Sequence, residues 1–241
     1  MKQRAAGVQA LVGGVCASFS IVLGYLPIAF SFGVAAVQAG LAPGMAVLAS
    51  LLVYAGASQF LLVSLLASGA GLWTAIPTVL LMNARHVLYG PAMAAQLPRQ
   101  RPHAVPVPCL AFGLTDEVFA TAMSKMHTVG EGAREHWLFG LQIGAYAAWV
   151  GGTFVGVLFV AQVDGWPAAV REGLSFVLPA LFFSLLLESG PRHWWRPIVV
   201  AAITAAVLLC VLPGYHALAL AILAGAFGQV ALPCGKQRAA R

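Results

Sequence analysis

Charge is what this sequence has least of. Of its 241 residues only 8% are Asp, Glu, Lys or Arg, while 61% are hydrophobic; ordinary soluble domains carry roughly 25% charged residues. Positions 5–84 hold no charged residue at all. A water-soluble globule of this length could not cover its surface with so few charges. Uncharged runs of about 18 residues or more have the length of a membrane-spanning helix, because a hydrocarbon core roughly 30 Å thick takes about 20 helical residues with every backbone group bonded internally. The solvent this predicts is a lipid bilayer.

Other absences narrow the chemistry. The four cysteines (Cys16, Cys109, Cys210, Cys234) have no CxxC spacing and lie within or at the ends of apolar segments, so they read as small buried hydrophobes, neither a disulfide framework nor a metal site. HExxH, GxSxG and the phosphate-binding GxxxxGK[ST] are missing, and the six histidines lack metal-ligand spacing. No metal or cofactor is expected, and an enzyme is the least favoured class. The net charge of +6 does not point to nucleic acid, since basic residues of membrane proteins collect in short cytoplasmic loops. Here they sit at Lys2 and Arg4, Arg99 and Arg101, Lys125 and Arg134, Arg192 and Arg196, and from Lys236 to Arg241. The opening stretch has the basic start and apolar run of a secretory signal, but the run continues past Ser20 through Val37, which predicts a retained first span.

Glycine and proline punctuation divides what is present into about seven or eight apolar segments, near residues 9–38, 44–67, 72–97, 106–126, 136–162, 169–188, 196–212 and 214–232. The fold class expected is an all-α polytopic membrane protein, residues 1–241 forming one membrane-embedded transporter domain of transmembrane or re-entrant helices, some of them broken. The first segment contains Gly24, Pro27 and Gly33, and proline removes a helical hydrogen bond, which predicts a bend or break there. Residues 173–187 and 197–212 are short for full spans. Interrupted or short spans are how transporters present half-helix ends to a substrate at the membrane midplane, although an ordinary kinked helix gives the same pattern. "FLLVSLLASG" (60–69) and "LFFSLLLESG" (181–190) align at an offset that also pairs Gly44 with Gly165 and Trp73 with Trp194. Two weakly related halves would produce this alignment, as would chance between Leu-rich helices.

An ionisable side chain inside a bilayer costs about 2.5 to 3.5 kcal/mol on insertion scales, so it faces a protein interior or a wet cavity. Three groups therefore stand out. In "LMNARHVLYG", one helix would put Asn83 and His86 at i, i+3 and Arg85 and Tyr89 at i, i+4. In "GLTDEVFATAMSK", Glu117, Thr121 and Ser124 fall at i, i+4, i+7, with Asp116 about 100° away from Glu117, and Thr115 or Asp116 is placed to cap a helix N-terminus. In "VYAGASQF", small residues admit a neighbouring helix, Tyr54 and Ser58 would share a helical face, and Gln59 offers an amide. Plainer roles stand beside each. Arg85 could neutralise Asp116 or Glu117 in a structural pair or extend its head to the interface; His86 could be a satisfied hydrogen-bonding residue; Tyr54, Trp73, Trp137, Trp149, Trp166, Trp194 and Trp195 are candidates for an aromatic belt.

These stretches carry a resemblance. "GYLPIAFSFGV" (24–34), "LVYAGASQF" (52–60), "LLMNARHVLYG" (80–90), "FGLTDEVFA" (112–120) and "LSFVLPALFFSLLLES" (174–189) occur in the order seen in the large subunit of AzlC-type branched-chain amino acid exporters, which the chain resembles over most of its length. "GGTFVGVLF" and the C-terminal segments match only loosely. The resemblance implies a multi-pass protein of the bacterial inner membrane that works with a small, separately encoded AzlD-type membrane subunit and exports valine, leucine, isoleucine or methionine. It supplies no agreed list of binding residues.

An apolar amino acid brings a carboxylate and an ammonium, both costly to strip of water. The sequence offers Arg85, or a half-helix N-terminus at Gly24 and Pro27, for the carboxylate, and Asp116 or Glu117, helped by Gln59 or backbone carbonyls, for the ammonium; Asn83 and Ser58 complete the substrate-binding candidates. Without a nucleotide-binding motif, coupling to protons through Glu117, Asp116 or His86 is the energy source expected. An uncoupled channel or facilitator for small solutes, or a structural subunit of a membrane complex, would use the same polar residues differently.

Overall fold

The computed structural model describes residues 2–84, 86–98, 103–163, 165–170, 172–173, 176, 191–212 and 214–231. Among them every regular element is helical: α1 (Lys2–Ala17), α2 (Phe19–Gln38), α3 (Pro43–Leu52), α4 (Gly56–Ala67), α5 (Leu72–Asn83), α6 (His86–Ala94), α7 (Val107–Phe112), α8 (Asp116–Lys125), α9 (Arg134–Val163), α10 (Pro191–Leu208) and α11 (Gly214–Ala231), with short 3-10 turns at Met126–Thr128 and Glu131–Ala133. They fall into two compact units, one of Met1–Ala67 with Gly71–Leu178, the other of Ser68–Ala70 with Pro179–Arg241.

The first unit is built on α9, against which α1, α2, α3, α7 and α8 all pack. At 1.5 Å per residue its 30 residues span about 45 Å, more than a hydrocarbon core needs. Its first turn, with Arg134, Glu135 and His136, lies beyond the uncharged length that follows from Trp137 to Val163. Helix α2 and the stretch Glu131–Val163 are long and apolar enough to cross a membrane by themselves. Helix α2 buries Ile21, Tyr25, Ile28 and Phe32 at i, i+4, i+7, i+11 and leaves Phe19, Leu23 and Leu26 on its outer side. The two long helices touch through their backbones: a Cβ on Gly33 would lie 2.3 Å from the Thr153 carbonyl oxygen, and one on Gly156 would lie 2.2 Å from that of Phe30. Close approach through small residues is how helices associate when lipid supplies no hydrophobic drive. In the second unit α10 and α11 pack on each other.

The outer surface is apolar. Trp73, Val87, Leu88, Phe112, Phe154 and Leu158 are all exposed, an arrangement that suits hydrocarbon and not water.

Several expectations are corrected here. Segments 9–38, 44–67, 72–97 and 106–126 each form two helices, and the expected break at Gly24 and Pro27 is absent: α2 runs unbroken through both. Pro27 deprives only one carbonyl of its donor, its side chain lies on the exposed face, and packing of α2 on α9 holds the turns to either side. The helices are instead delimited at Ser18, at Val53–Ala55, at Ala84 and at Gly113–Thr115; Ser18, Val53 and Ala84 keep right-handed helical angles, whereas Tyr54 does not. Consequently Tyr54 and Ser58 do not share a helical face, and Asn83 and His86 belong to different helices. Cys16, Cys109 and Cys210 are free and exposed rather than buried, on faces where lipid accepts a small soft side chain; Cys234 lies outside the described residues. So do residues 181–190, the second copy of the internal alignment, and most of the short segment 173–187.

Candidate functional site

Three helix interruptions in the first unit are joined by side-chain contacts. Ser58, in the first turn of α4, donates to the Asn83 side-chain oxygen at the end of α5. The Tyr54 ring stacks on Phe112 at the end of α7, with centroids 5.9 Å apart, and meets Tyr146 of α9 edge-on at 4.9 Å. Tyr25 of α2 meets Thr115 and Glu117 at the start of α8. A broken helix exposes carbonyls at one end and N–H groups at the other, and in lipid each must find a protein partner. Helix α9 supplies two: the Tyr146 hydroxyl donates to the Leu51 carbonyl of α3 at 2.9 Å, and Gln142 Nε2 donates to the Leu110 carbonyl of α7 at 2.7 Å.

The stripe continues one and two turns on. Trp149 Nε1 donates to Gln59 Oε1 at 2.9 Å, Gln59 Nε2 donates to Ser50 Oγ at 3.1 Å, and Ser50 and Thr153 share a bond of 2.8 Å. Thr153 spends its proton on the Trp149 carbonyl at 3.0 Å, so Ser50 is the donor in the shared bond. The result is a closed, one-directional ring of buried groups that ties α3, α4 and α9 together on either side of Tyr54. Tyr54 itself has φ +43°, a left-handed conformation that a bulky residue adopts only where its surroundings impose it. Its hydroxyl is buried and completes no hydrogen bond.

The two carboxylates diverge as their angular separation requires. Asp116 accepts from the Tyr89 hydroxyl of α6, whose ring stacks on Phe119 at 4.4 Å. Glu117 accepts from the Tyr25 hydroxyl at 2.5 Å. Thr115 caps α8, its Oγ1 accepting from Val118 N–H at 3.4 Å, and the carboxylates in the first turn suit the positive end of the helix. Two apolar cavities flank α7. One, of about 330 Å³, lies between α6 and α7 and includes Gly90, Met93, His103, Leu110 and Leu114; the other, of about 410 Å³, includes Phe112, Phe139, Gln142, Ile143 and Tyr146. At the polar end of α9, Glu135 accepts from Ala104 N–H at 2.6 Å and Val105 N–H at 3.2 Å and bonds His103 Nδ1 at 2.6 Å.

Of the residues singled out from the sequence, the structure brings Ser58 to Asn83, Asp116 to Tyr89 and Glu117 to Tyr25, and sets the His86 ring 5.4 Å from that of Tyr89. Both ends of the Gln59 amide are engaged in the ring. Arg85 lies outside the described residues. Tyr54, Trp137 and Trp149 are buried and do not belong to an interfacial belt: Trp149 fills the space over Gly56, where a Cβ would lie 2.5 Å from the indole. Gln142, Tyr146 and Thr153 do not stand out in the sequence because none is charged at neutral pH. The signal was present, for with Trp149 they fall at i, i+4, i+7, i+11 on one face of an apolar helix.

The residues of this junction from Tyr25 to Thr153 lie within the stretch that matches a protein family. The profile of the AzlC protein family matches residues 20–163, from α2 to the end of α9. The chain belongs to the AzlC family. Inner membrane protein YgaZ of Escherichia coli is 41% identical over 79% of this chain and 77% of its own length. An uncharacterized membrane protein of Archaeoglobus fulgidus is 42% identical over 73% of this chain and 74% of its own. The branched-chain amino acid transport protein AzlC of Bacillus subtilis is 27% identical over 72% and 65%. No solved structure matches the chain. Membership in the AzlC family makes it a membrane protein, in keeping with its apolar exterior.

Proposed function

We propose that this chain is the principal membrane subunit of an exporter of apolar amino acids, of the branched-chain type and methionine, that it spans a bacterial inner membrane several times, and that it acts with a small AzlD-type membrane subunit. One observation carries the reading: interrupted helices meet at two carboxylates and a buried polar ring, beside apolar cavities, inside a helical body with an apolar exterior. The transport function named for the Bacillus subtilis relative supports it.

Each part of the junction suits one part of such a substrate. Asp116 or Glu117 takes the ammonium, which an acceptor in low dielectric stabilises strongly. Arg85 or the first turn of α4, where the alanine at position 55 offers no side-chain cap, takes the carboxylate. The aliphatic tail enters an apolar cavity beside α7, where a difference of one methylene is worth only about 1 to 3 kcal/mol, so several aliphatic amino acids are accepted. No bond is made or broken, and the chain is not an enzyme. Protonation of a junction carboxylate when substrate leaves it couples export to proton entry.

Counterflow of labelled valine, methionine and a polar control in proteoliposomes, with and without the small subunit, tests this. Valine and methionine should accumulate transiently and the polar control should not. Flux of all three alike, or of none with both subunits present, contradicts the reading.

A further inference from the structure

The junction holds a line of hydroxyls whose protons can point only one way at a time. The Tyr25 hydroxyl lies 2.7 Å from Thr115 Oγ1 and 2.5 Å from Glu117 Oε2, yet it has one proton to donate. The recorded geometry has Tyr25 as donor to Thr115; with Glu117 ionised the carboxylate only accepts, so Tyr25 donates to Glu117 and the Thr115 hydroxyl must turn to donate to Tyr25. Two protons then serve three groups, both directed at the carboxylate. One proton added to Glu117 reverses the line: the carboxyl donates to Tyr25, Tyr25 donates to Thr115, and the proton of Thr115, the third, leaves the line and turns outward. Throughout, Thr115 Oγ1 can keep accepting from Val118 N–H.

What lies outward is Tyr54. Thr115 lies within side-chain hydrogen-bonding reach of its hydroxyl and Glu117 acts on it by charge, but that hydroxyl completes no bond of full hydrogen-bond geometry, and it stands on the left-handed residue between α3 and α4. We infer that Tyr25 and Thr115 are positioning residues that carry the protonation state of Glu117 to Tyr54. Thr115 donates to Tyr54 when Glu117 is protonated and withdraws from it when Glu117 is ionised, so a proton taken up at α8 is felt at the α3–α4 interruption. The other titratable groups on the elements packed against α8 are Asp116 and Lys125 on α8 itself, His127 in the turn after it, Tyr89 and His86 on α6, and Tyr146 on α9, whose first turn also carries Arg134, Glu135 and His136. The inference rests on the proton-coupled export proposed above.

The test uses the full chain in proteoliposomes and two readouts. Infrared difference spectra, acid minus neutral, identify the Glu117 carboxyl as the band lost in Glu117→Gln. In Thr115→Val and in Tyr25→Phe this band should move, and the pH profile of valine transport, each variant normalised to its own maximum, should shift by about half a pH unit or more. Thr115→Ser, which keeps the hydroxyl, should restore both. An unmoved band in Thr115→Val and Tyr25→Phe overturns the inference, as does a Thr115→Ser protein that behaves like Thr115→Val, or the absence of any Glu117 band over the accessible pH range. Wild-type transport without pH dependence, alongside bands that move as expected, overturns proton coupling and leaves the hydroxyl line standing.

Discussion

Helix α2 and the α3–α4 pair make an instructive contrast. The first carries Pro27 in its middle and stays whole; the second has no proline after its first residue, Pro43, and comes apart at Val53–Ala55. The difference lies in the neighbours. A helix facing hydrocarbon gains nothing by breaking, because lipid offers no donor to a freed carbonyl, and the outer side of α2 near Pro27 is of that kind. At the end of α3 the Tyr146 hydroxyl donates to the Leu51 carbonyl, and the ring of Ser50, Gln59, Trp149 and Thr153 fixes both flanks. Proline removes one bond; a polar stripe on a neighbouring helix makes room for a whole interruption.

The contrast can be broken at several points. The largest effect is expected where α2 depends on α9: Gly33→Leu or Gly156→Leu places side-chain atoms where backbone now lies and should abolish a folded, monodisperse protein in detergent. A folded product would mean that α2 stays whole without that contact. Next, Gln142→Leu and Tyr146→Phe each remove the donor to a freed carbonyl and should each lower stability by about 1 to 3 kcal/mol, read as a drop in melting temperature. Unchanged melting would show that α9 does not hold the interruptions.

A smaller effect concerns the polar end of α9. Burial acts to raise the pKa of Glu135, but the bonds from His103, Val105 and Ala104 outweigh it and hold the carboxyl below its ordinary value of 4.5. A depressed folded-state pKa means that this contribution to stability is fully present above the ordinary value and is lost as pH falls through the folded one. The melting temperature of Glu135→Gln should therefore be lower than that of the wild type near neutrality, with the gap closing in acid. A constant gap would refute the assignment. The smallest effect is that of Pro27→Ala, which restores one helical N–H on an exposed face and should change stability by no more than about 1 kcal/mol. A large loss would make Pro27 a shaping element of the junction after all.

The sequence made the apolar exterior legible, along with the place where polar groups converge. Asp116, Glu117, Asn83 and Ser58 stand out because their cost in lipid is high, and the divergence of the two carboxylates follows from helical geometry alone. Thr115 as the cap of α8 was readable in the same way. Glycine and proline are poor guides to the interruptions, because the breaks depend on donors from a helix far along the chain, Tyr146 to Leu51 and Gln142 to Leu110. No local signal marks Tyr54 as left-handed. Trp149, near the middle of its segment and one turn from Thr153, already argued against an interfacial belt.

Accessibility of Ser58 tests most directly whether the junction is where substrate passes. With the four native cysteines replaced and Ser58→Cys introduced, a membrane-impermeant methanethiosulfonate reagent should modify the new thiol, and saturating valine should slow the reaction. Modification at the same rate with and without valine, in protein that still carries out valine counterflow, would contradict the account.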